Sequence, residues 1–319
     1  MDALADGTDV VIGGIMQHIE DAGVHSGDSA CVLPPYLLDG DVLEEIRAIT
    51  RRFALELGVK GLMNVQYAIR DGVVYTLEVN PRASRTVPFV SKATGVPLAR
   101  LAARVMAGET LAEMDVPAEP LVGGVAVKEA AFPFSRFEVD VILGPEMRST
   151  GEVMGFDDSF GMAFAKAQVS AGNVLPEEPG KLIVTVNEKD KPTVTPILRR
   201  FVDLGWEILA TKGCHRYFTR LGIPCERVFK VNEGRPNIVD HIVSGDVGLL
   251  INTPMGKASQ YDDYAMRRAA ITYNVPYLTT MSATSAACDA LIALRNRTHR
   301  VKSLQERVKM TAPLSPASR

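Results

Sequence analysis

The sequence predicts an α/β protein in two parts, and three observations lead to this prediction. In the second half, short apolar strands alternate with helical patterns, which is typical of a parallel sheet covered on both faces. The first half instead has amphipathic helices and a hairpin pattern around Asp71-Gly72. A length of 319 residues is typical of two domains. The Gly- and Pro-containing stretch at 171–180 separates them, so we predict domains at 1–175 and 176–319.

Composition excludes several classes of protein. Apolar residues make up 46% and charged residues 23% of the chain, as in ordinary globular proteins. The net charge of −3 gives no field that favours nucleic acid, and no apolar run suggests a membrane span or a signal peptide. The four cysteines are scattered, with no CxxC pair, which indicates reduced packing thiols and a cytoplasmic protein.

In the first half, each element is predicted from its own pattern. Apolar residues at three- and four-residue spacing predict a helix over 41–57 that Gly58 ends. Two β-rich runs around Asp71-Gly72 predict a hairpin over 61–80. Further strands are predicted at 9–20 and 122–131, a polar loop at 21–29, and helices at 86–94, 98–106 and 160–169.

In the second half, the period changes to short strands between helices. The strands are predicted at 182–186, 206–210, 228–231, 247–252 and 277–279. The helices are predicted at 196–204, 214–221, 236–243, 262–273 and 283–294. From about residue 296 the chain is basic and predicts one frayed helix followed by a disordered tail.

The end of the hairpin carries a candidate metal site. Glu78 and Asn80 are two apart on a strand, so they share a face. Mg²⁺ takes one or two carboxylates and leaves room for phosphates. A two-residue turn would put Gln66 on the wrong side, whereas a three-residue loop, Arg70-Asp71-Gly72, would put it beside Glu78. We predict the three-residue loop, with Gly72 in a left-handed conformation.

Two neighbouring features suggest phosphate chemistry but have simpler explanations. Arg82 and Arg85 follow the hairpin and are suited to clamp a phosphate or carboxylate, although charged residues are common at solvated strand ends. The loop at 23–29 offers backbone N–H groups and hydroxyls to a nucleotide, yet it also suits an ordinary loop. His25, taken alone, is equally consistent with a hydrogen-bonded loop histidine.

In the second half, polar residues follow the predicted parallel strands. Thr211-Lys212-Gly213 comes after a strand and opens a helix, a plausible phosphate cradle. Lys230 and Asn252 end the next two strands. Ligands bind at the carboxyl ends of such strands, so this edge is a second candidate site.

Several long motifs resemble one family. The run from His18 to Ala30, together with segments 61–66, 78–97, 127–133, 143–155 and 232–236, is similar to the large subunit of carbamoyl-phosphate synthetase. The similarity spans essentially the whole chain. It implies the C-terminal portion of an ATP-grasp domain, with a mixed sheet, followed by a Rossmann-like methylglyoxal-synthase-like allosteric domain.

The resemblance implies an ATP-dependent ligase. Family members use ATP and Mg²⁺ or Mn²⁺ to phosphorylate carbamate to carbamoyl phosphate, for arginine and pyrimidine biosynthesis. Their partners are a glutaminase small subunit, the other domains of the large chain, and effectors such as ornithine, UMP or IMP. Nucleic acid and membranes are not among the expected partners.

The resemblance also implies roles for individual residues in the first half and in the amino-acid effector site. It assigns metal binding to Gln66, Glu78 and Asn80, and ATP binding to Gly23, Val24, His25, Ser26, Gln66 and Glu78. It assigns the phosphate and carbamate end, as the catalytic residues, to Arg82 and Arg85. It assigns an activator amino-acid site to Glu20, Asp28, Glu129, Tyr277 and Thr279.

For the second domain, the resemblance implies a nucleotide effector site formed by Thr185, Lys191, Thr211, Lys212, Lys230 and Asn252. Arg235 and Thr253 stand where methylglyoxal synthases need carboxylates, so we expect a binding module and not a lyase. Cys214 and Pro254 replace hydroxyl residues. A retained fold with a weakened or lost effector site is therefore an alternative.

The chain departs from the family at its start, because the opposite ATP-grasp lobe does not precede Met1. We therefore expect these 319 residues to be part of a larger enzyme and inactive alone, or to be completed by a separate polypeptide. A stand-alone regulatory module that binds nucleotide or ornithine without catalysis is the alternative.

Overall fold

The computed structural model describes residues 1–134, 141–253, 260–296 and 301–311. Within these residues the chain forms two four-stranded antiparallel sheets and one five-stranded parallel sheet. The α/β fold class predicted from the sequence is confirmed. The predicted boundary between 175 and 176 stays a prediction.

The first sheet has the strand order β2-β1-β5-β6. Its strands are β1 (Asp2–Asp6), β2 (Val10–Gly14), β5 (Lys60–Arg70) and β6 (Val73–Asn80). Helix α1 (Gly40–Glu56) packs on one face through Ile46 and Ala54. Helices α2 (Val87–Thr94) and α3 (Leu98–Met106) cover the other face. Burial of this sheet on both faces fixes its register and holds the end of the hairpin in place.

The second sheet has the order β3-β4-β7-β8 and lies next to the first. Its strands are β3 (Gln17–His18), β4 (Cys31–Leu33), β7 (Val125–Ala131) and β8 (Gly151–Asp157). Helix α4 (Phe160–Ala171) packs on β7 and β8, and residues 161–168 of α4 are all buried. A helix buried on every side must have a second layer beyond it.

The third sheet is parallel, with the order β11-β10-β9-β12-β13. Successive residues point to opposite faces: Leu182 and Val184 enter one core, and Ile183 enters the other. The predicted parallel sheet covered on both faces is therefore confirmed. Its strands are β9 (Lys181–Thr185), β10 (Glu207–Thr211), β11 (Glu226–Val228), β12 (Val247–Asn252) and β13 (Tyr277–Leu278).

Five helices accompany this sheet, and a further one follows near the end of the described chain. The five are α5 (Lys191–Asp203), α6 (Lys212–Arg220), α7 (Ile238–Val243), α8 (Gln260–Thr272) and α9 (Met281–Asn296). Helix α10 (Leu304–Thr311) returns to the first half, where Arg307 donates a hydrogen bond of 2.9 Å to the Phe156 carbonyl. Residues 312–319, where the tail was predicted, lie outside the described residues.

The two halves share one hydrophobic core. Phe164 of α4 belongs to the same buried cluster as Leu182 of β9 and Ala287 of α9. The contact between α4 and α9 is close: a Cβ atom on Gly161 would lie 2.4 Å from the Asp289 carbonyl oxygen. The segment at 171–180 therefore joins two packed layers, so the halves are expected to move little relative to each other.

The predicted three-residue hairpin loop is wrong. Arg70 pairs with Val73, so the turn has two residues, and both Asp71 (φ 53°) and Gly72 (φ 77°) are left-handed. The register then shifts between Gln66 and Tyr67, leaving Leu77 as the extra residue of a β-bulge. The bulge brings Gln66 opposite Glu78, which is the juxtaposition that the loop was expected to produce. The predicted left-handed Gly72 is confirmed.

Several strand predictions also need correction. The predicted strand at 9–20 is two strands, β2 and β3, and the predicted start of β7 at 122 is three residues early. Strands β1, β4 and β8 were not predicted. These strands have three to seven residues. They show no clear alternation of apolar and polar residues, because both faces are packed or a glycine interrupts the pattern. The two-residue strand β13 depends entirely on pairing with β12.

Among the described residues, no helix is both long enough and apolar enough to cross a membrane.

Candidate functional site

The end of the hairpin brings the predicted metal-binding side chains together. Gln66 Nε2 donates a hydrogen bond of 3.0 Å to Glu78 Oε2 across the β5–β6 pair. Asn80 lies two residues further along β6, opposite Asn64. Gln66 and Asn80 are half-buried, whereas Glu78 is exposed. This end of the sheet therefore presents one carboxylate and two amides toward solvent.

The donor set fits a hard cation that is shared with phosphate. Asn80 Nδ2 is buried and has no hydrogen-bond partner. A half-turn of the amide would put its oxygen at this position, where it can ligate a cation. In the described part of the chain, no group of three or more His, Cys, Asp or Glu side chains is placed to hold a metal. Glu78, Gln66 and Asn80 would thus leave coordination positions to phosphate oxygens and water.

A cleft of about 290 Å³ connects the hairpin to the loop at 21–29. Gly23, Val24 and Ser26 line one side, and Gln66 and Leu77 line the other. Gly23 has φ 106°, and no atom lies within 4 Å of the position that a Cβ would take. Its backbone is therefore open to a ligand. Among the described residues that line the cleft there is no lysine or arginine, which limits the charge that they can neutralise.

His25 is placed differently from its neighbours in the loop. Its Nδ1 accepts a hydrogen bond of 3.0 Å from the Gly27 N–H, and the backbone N–H of His25 donates to the Gly144 carbonyl. It is not among the residues that line the cleft. The described contacts of His25 thus stabilise the loop, and any role for it in nucleotide binding stays a prediction.

Arg82 and Arg85 lie in the exposed loop that follows β6. Arg82 Nη1 donates a local hydrogen bond of 3.1 Å to the Ala83 carbonyl. Arg85 has no described hydrogen bond. Partial burial raises the pKa of Glu152, and the positive charge of Arg85 offsets part of this shift. Arg82 and Arg85 follow Asn80 by two and five positions along the chain, and their role at the candidate metal site stays a prediction.

Three of the residues predicted to bind an activator amino acid are acidic, and Asp28 differs from the other two in its contacts. Glu20 accepts a hydrogen bond from Ser29 (2.8 Å), and Glu129 accepts one from Gln168 (2.6 Å). Asp28 instead accepts bonds from the backbone N–H groups of Arg148 (2.7 Å) and Ser149 (2.9 Å). Asp28 therefore holds the segment before β8.

Burial shifts the protonation of this cluster. Burial raises the pKa of Glu20 and of Glu129, and the charge of Glu20 raises that of Glu129 further. The fully buried Lys128, whose Nζ donates 3.1 Å to the Gly27 carbonyl, partly offsets both shifts. A cationic ligand at this cluster would relieve the repulsion between the two carboxylates.

These shifts predict a pH-dependent stability. A carboxyl whose folded pKa lies above its ordinary value of 4.5 stabilises the fold when protonated. That contribution is complete below about pH 4.5 and is lost as the pH rises through neutrality. We expect Glu129→Gln to reduce this loss, so that the variant gains stability relative to the parent chain between pH 5 and pH 8. Urea unfolding at several pH values measures the difference.

The exposed Glu56→Gln variant is the control for this measurement, since it removes a charge that has no described partner. A stability difference between Glu129→Gln and the parent chain that is independent of pH would contradict the prediction.

Tyr277 and Thr279 are the other members of the predicted amino-acid site; Tyr277 begins β13, and Thr279 follows the strand. Tyr277 lines a cavity of about 250 Å³ between the two halves, together with Ala130, Phe132 and Asn173. Ala130 follows Glu129 on β7, but successive side chains of a strand point to opposite faces, so the lining by Ala130 does not bring Tyr277 to the Glu129 carboxylate. Thr279 is half-buried and is not among the residues that line this cavity.

The predicted nucleotide site lies at the carboxyl ends of neighbouring parallel strands. Thr185, Thr211 and Asn252 end β9, β10 and β12, and the Thr211 hydroxyl donates to that of Thr185 at 3.5 Å. Lys191 begins α5, and its Nζ lies 3.6 Å from the Cβ position of Gly213. Lys212 is exposed at the start of α6, and Lys230 is half-buried after β11.

Several members of this edge are already committed to internal contacts. Besides the contact between Thr211 and Thr185, Lys191 Nζ donates a hydrogen bond to Glu188 Oε1. The Asn252 amide accepts from Arg267 (2.7 Å) and donates to Asp263 (3.2 Å). The Cys214 thiol contacts the backbone N–H and carbonyl of Val186 at 3.4 and 3.5 Å. A thiol in this position faces β9 and adds little to phosphate binding. Pro254, the other replaced hydroxyl residue, lies outside the described residues.

The positions where a lyase would need carboxylates contain other side chains. Arg235 is exposed and forms an ion pair of 3.4 Å with Asp240. Thr253 is buried, and its hydroxyl accepts a hydrogen bond of 3.0 Å from the Asn187 N–H. Neither can remove a proton from carbon.

The structure also reveals polar residues that the sequence did not single out. Asp2, on β1, is buried and accepts hydrogen bonds from Asn64, Ser84 and Thr86. An aspartate at the first position of a short strand gives no signal of its own. Its partners are 62 to 84 residues away, so only the fold reveals the contact.

Two family models match the chain. The carbamoyl-phosphate synthase L chain, ATP binding domain matches residues 1–114, and the MGS-like domain matches residues 193–279. The first match contains the hairpin site, and the second contains most of the effector edge but not Thr185 or Lys191.

Full-length relatives agree with these matches. The carbamoyl phosphate synthase large chain of Gemmatimonas aurantiaca is 56% identical over 96% of this chain, which covers 28% of that relative. The C-terminal section of the large chain from Aquifex aeolicus is 49% identical over 95% of this chain, which covers 60% of that section. The biotin carboxylase domain of a single-chain bacterial carboxylase overlaps 55% of this chain and 45% of its own, with TM-score 0.43 and 17% identity, too little to assign function.

Proposed function

The chain belongs to the carbamoyl phosphate synthase large-chain family, in which it corresponds to the C-terminal part, and from this premise we propose that it contributes to ATP-dependent formation of carbamoyl phosphate. In this proposal the first half supplies one wall of an ATP-grasp site and the second half is a regulatory ligand-binding domain. The 319 residues make no carbamoyl phosphate by themselves.

The observation that carries the proposal is the pairing of Gln66 with Glu78 at the edge of the 290 Å³ cleft. The cleft joins this pair to the open backbone of Gly23. A nucleotide in the cleft would therefore direct its phosphates toward Glu78 and Asn80. No lysine or arginine is among the described residues that line the cleft, which supports a requirement for cationic residues from another segment.

Each residue of the site has a definite role in the proposed reaction. A carbamate oxygen attacks the γ-phosphorus of ATP, and the bond to the ADP oxygen breaks. A Mg²⁺ or Mn²⁺ ion held by Gln66, Glu78 and Asn80 would neutralise charge on the phosphates. Arg82 and Arg85 orient the carbamate and the transferred phosphoryl group. The backbone and hydroxyl groups of residues 23–26 hold the nucleotide.

The regulatory part of the proposal has two ligands. Glu20 and Glu129 are suited to bind the cationic amino group of an ornithine-like activator, since two carboxylates whose charges repel each other attract a cation. Thr185, Lys191, Thr211, Lys212 and Lys230 are suited to bind the phosphate of UMP or IMP. Asn252 and Cys214 weaken that site, because their polar atoms are already engaged.

The proposal is tested by binding and by reconstitution. Electron paramagnetic resonance of Mn²⁺ reports whether the purified chain binds Mn²⁺ with ATP. Carbamoyl phosphate formation from bicarbonate, ammonia and ATP is then measured for the chain alone and after mixing with the preceding segments of the Gemmatimonas aurantiaca large chain. We expect nucleotide-dependent Mn²⁺ binding, no activity alone, and activity in the mixture.

Other outcomes lead to different conclusions. Carbamoyl phosphate formation by the chain alone would overturn the proposed dependence on further segments. UMP or ornithine binding without any Mn²⁺–ATP binding would favour a regulatory module that has no catalytic role.

A further inference from the structure

A buried carboxylate links the parts of the candidate phosphoryl-transfer site. Asp2 is 1% exposed, and Oδ1 accepts hydrogen bonds from Asn64 Nδ2 (2.8 Å) and Ser84 Oγ (2.7 Å). Oδ2 accepts from Thr86 Oγ1 at 2.6 Å. No ion pair of Asp2 occurs within the described chain. Three neutral donors therefore compensate for burying this group.

One donor belongs to the hairpin, and the other two belong to the loop that follows it. Asn64 lies opposite Asn80, a candidate metal ligand, in the β5–β6 register. Ser84 lies between Arg82 and Arg85 in the loop after β6. Thr86 immediately precedes α2 and lines the cleft. One carboxylate thus joins the base of the hairpin, the arginine loop and the wall of the cleft.

The arginine loop, residues 81–86, depends on this carboxylate for its attachment. Among the described residues, the side-chain hydrogen bonds that join the loop to another element all end on Asp2. The other side-chain bonds of the loop are internal, such as Ser84 to Thr86 at 2.8 Å and Thr86 N–H to Ser84 at 3.2 Å. Its backbone is bonded to β6 by the Arg82 N–H, which donates to the Asn80 carbonyl at 2.8 Å. Without Asp2, the two hydroxyls would lose their common anchor, and the arginine loop would be free to move relative to Glu78.

We propose that Asp2 is a positioning residue that fixes the arginine loop, so that Arg82 and Arg85 stand at a constant distance from Gln66, Glu78 and Asn80. The expected effect on phosphate binding rests on the function proposed above, whereas the attachment of the loop to Asp2 does not. Asp2 itself touches neither nucleotide nor metal. Its effect is exerted through Ser84 and Thr86.

Hydrogen exchange followed by mass spectrometry tests the attachment directly in the 319-residue chain. We expect the backbone amides of residues 82–86 to exchange roughly tenfold faster in Asp2→Asn and in Ser84→Ala, since each removes or weakens a hydrogen bond to a charged acceptor. The hairpin turn at 70–73 and the parallel sheet are expected to exchange at parent rates. Ser84→Thr, which keeps the hydroxyl, should restore slow exchange.

Asp9→Asn is the matched control, because Asp9 is an exposed carboxylate at the start of the neighbouring strand. It is expected to leave exchange at residues 82–86 unchanged. Ser84→Ala removes the hydrogen bond to Asp2 and two bonds with Thr86. Because Ser84 is half-buried, this variant tests the inference even where Asp2→Asn does not fold. Parent-like exchange in Ser84→Ala, or faster exchange spread evenly over both halves in Asp2→Asn, would overturn the inference.

A second measurement tests whether the attachment of the arginine loop affects phosphate binding. Mn²⁺ with inorganic tripolyphosphate is titrated into the parent chain and the variants, and calorimetry measures the dissociation constant. We expect Ser84→Ala to weaken binding three- to tenfold and Ser84→Thr to retain it. If the parent chain does not bind this probe, the proposed function fails, and the exchange rates still decide the role of Asp2. Parent-like affinity in Ser84→Ala, with faster exchange, would remove the link to phosphate.

Discussion

Replacing Glu78 with glutamine is expected to weaken Mn²⁺ binding in the presence of ATP by about 100-fold. Glu78 is the single carboxylate of the donor set, and Gln66 and Asn80 contribute only neutral amides. Without it, the site loses its charge attraction for the cation. In the reconstituted mixture, carbamoyl phosphate formation is expected to fall below about 1% of the parent value, because phosphoryl transfer depends on charge neutralisation.

Mn²⁺ electron paramagnetic resonance and the carbamoyl phosphate assay measure these effects separately. Glu78→Gln keeps the size of the side chain and leaves an acceptor for Gln66 Nε2, so the fold should be unaffected. Glu56→Gln, an exposed position near the end of α1, is the matched control and is expected to bind Mn²⁺ as the parent chain does. Equal Mn²⁺ affinity for Glu78→Gln and the parent chain would exclude Glu78 as a ligand.

Replacing Gly155 with alanine is expected to destabilise the chain by about 3 kcal/mol or more, or to prevent soluble expression. A Cβ at position 155 would lie 2.0 Å from the Ala163 carbonyl oxygen and 2.5 Å from the Ala167 nitrogen. Both are backbone atoms of α4, which cannot turn aside as a side chain can. Helix α4 would have to move off β8, and the core shared by both halves would open.

Gly151 provides a control on the same strand. Nothing lies within 4 Å of its Cβ position, so Gly151→Ala is expected to change the free energy of unfolding by no more than about 0.5 kcal/mol. Chemical denaturation of both variants measures the difference. Equal stability of the two variants would show that α4 does not pack on Gly155 as described.

Local patterns predicted most of the helices because each helix shows its own apolar spacing. The 41–57 pattern corresponds to α1, and the 98–106 pattern to α3. The sequence patterns did not predict strands β1 and β4, and they predicted β13 one residue too long. Their hydrogen bonds and burial come from distant partners, and five residues or fewer carry too little periodicity to detect.

The hairpin shows how a correct juxtaposition can come from the wrong local geometry. From the sequence, the position of Gln66 depends on the turn, and a three-residue loop was predicted because it would place Gln66 beside Glu78. The chain instead keeps the favoured two-residue Asp71-Gly72 turn and places the extra residue, Leu77, within the strand. A bulge has no strong sequence signal, because it depends on the partner strand and on packing at both faces.

The sequence by itself determined the family, the parallel sheet of the second half, and the residue types of the candidate metal and effector sites. Those properties depend on motifs and periodicities that lie within short segments. Tertiary structure decided which of these residues are available. It committed Asp28 and Asn252 to internal hydrogen bonds, shared one core between the two halves through α4, and joined Asp2 to Ser84. These outcomes depend on contacts between residues tens of positions apart, and only the folded chain brings such residues within hydrogen-bonding distance.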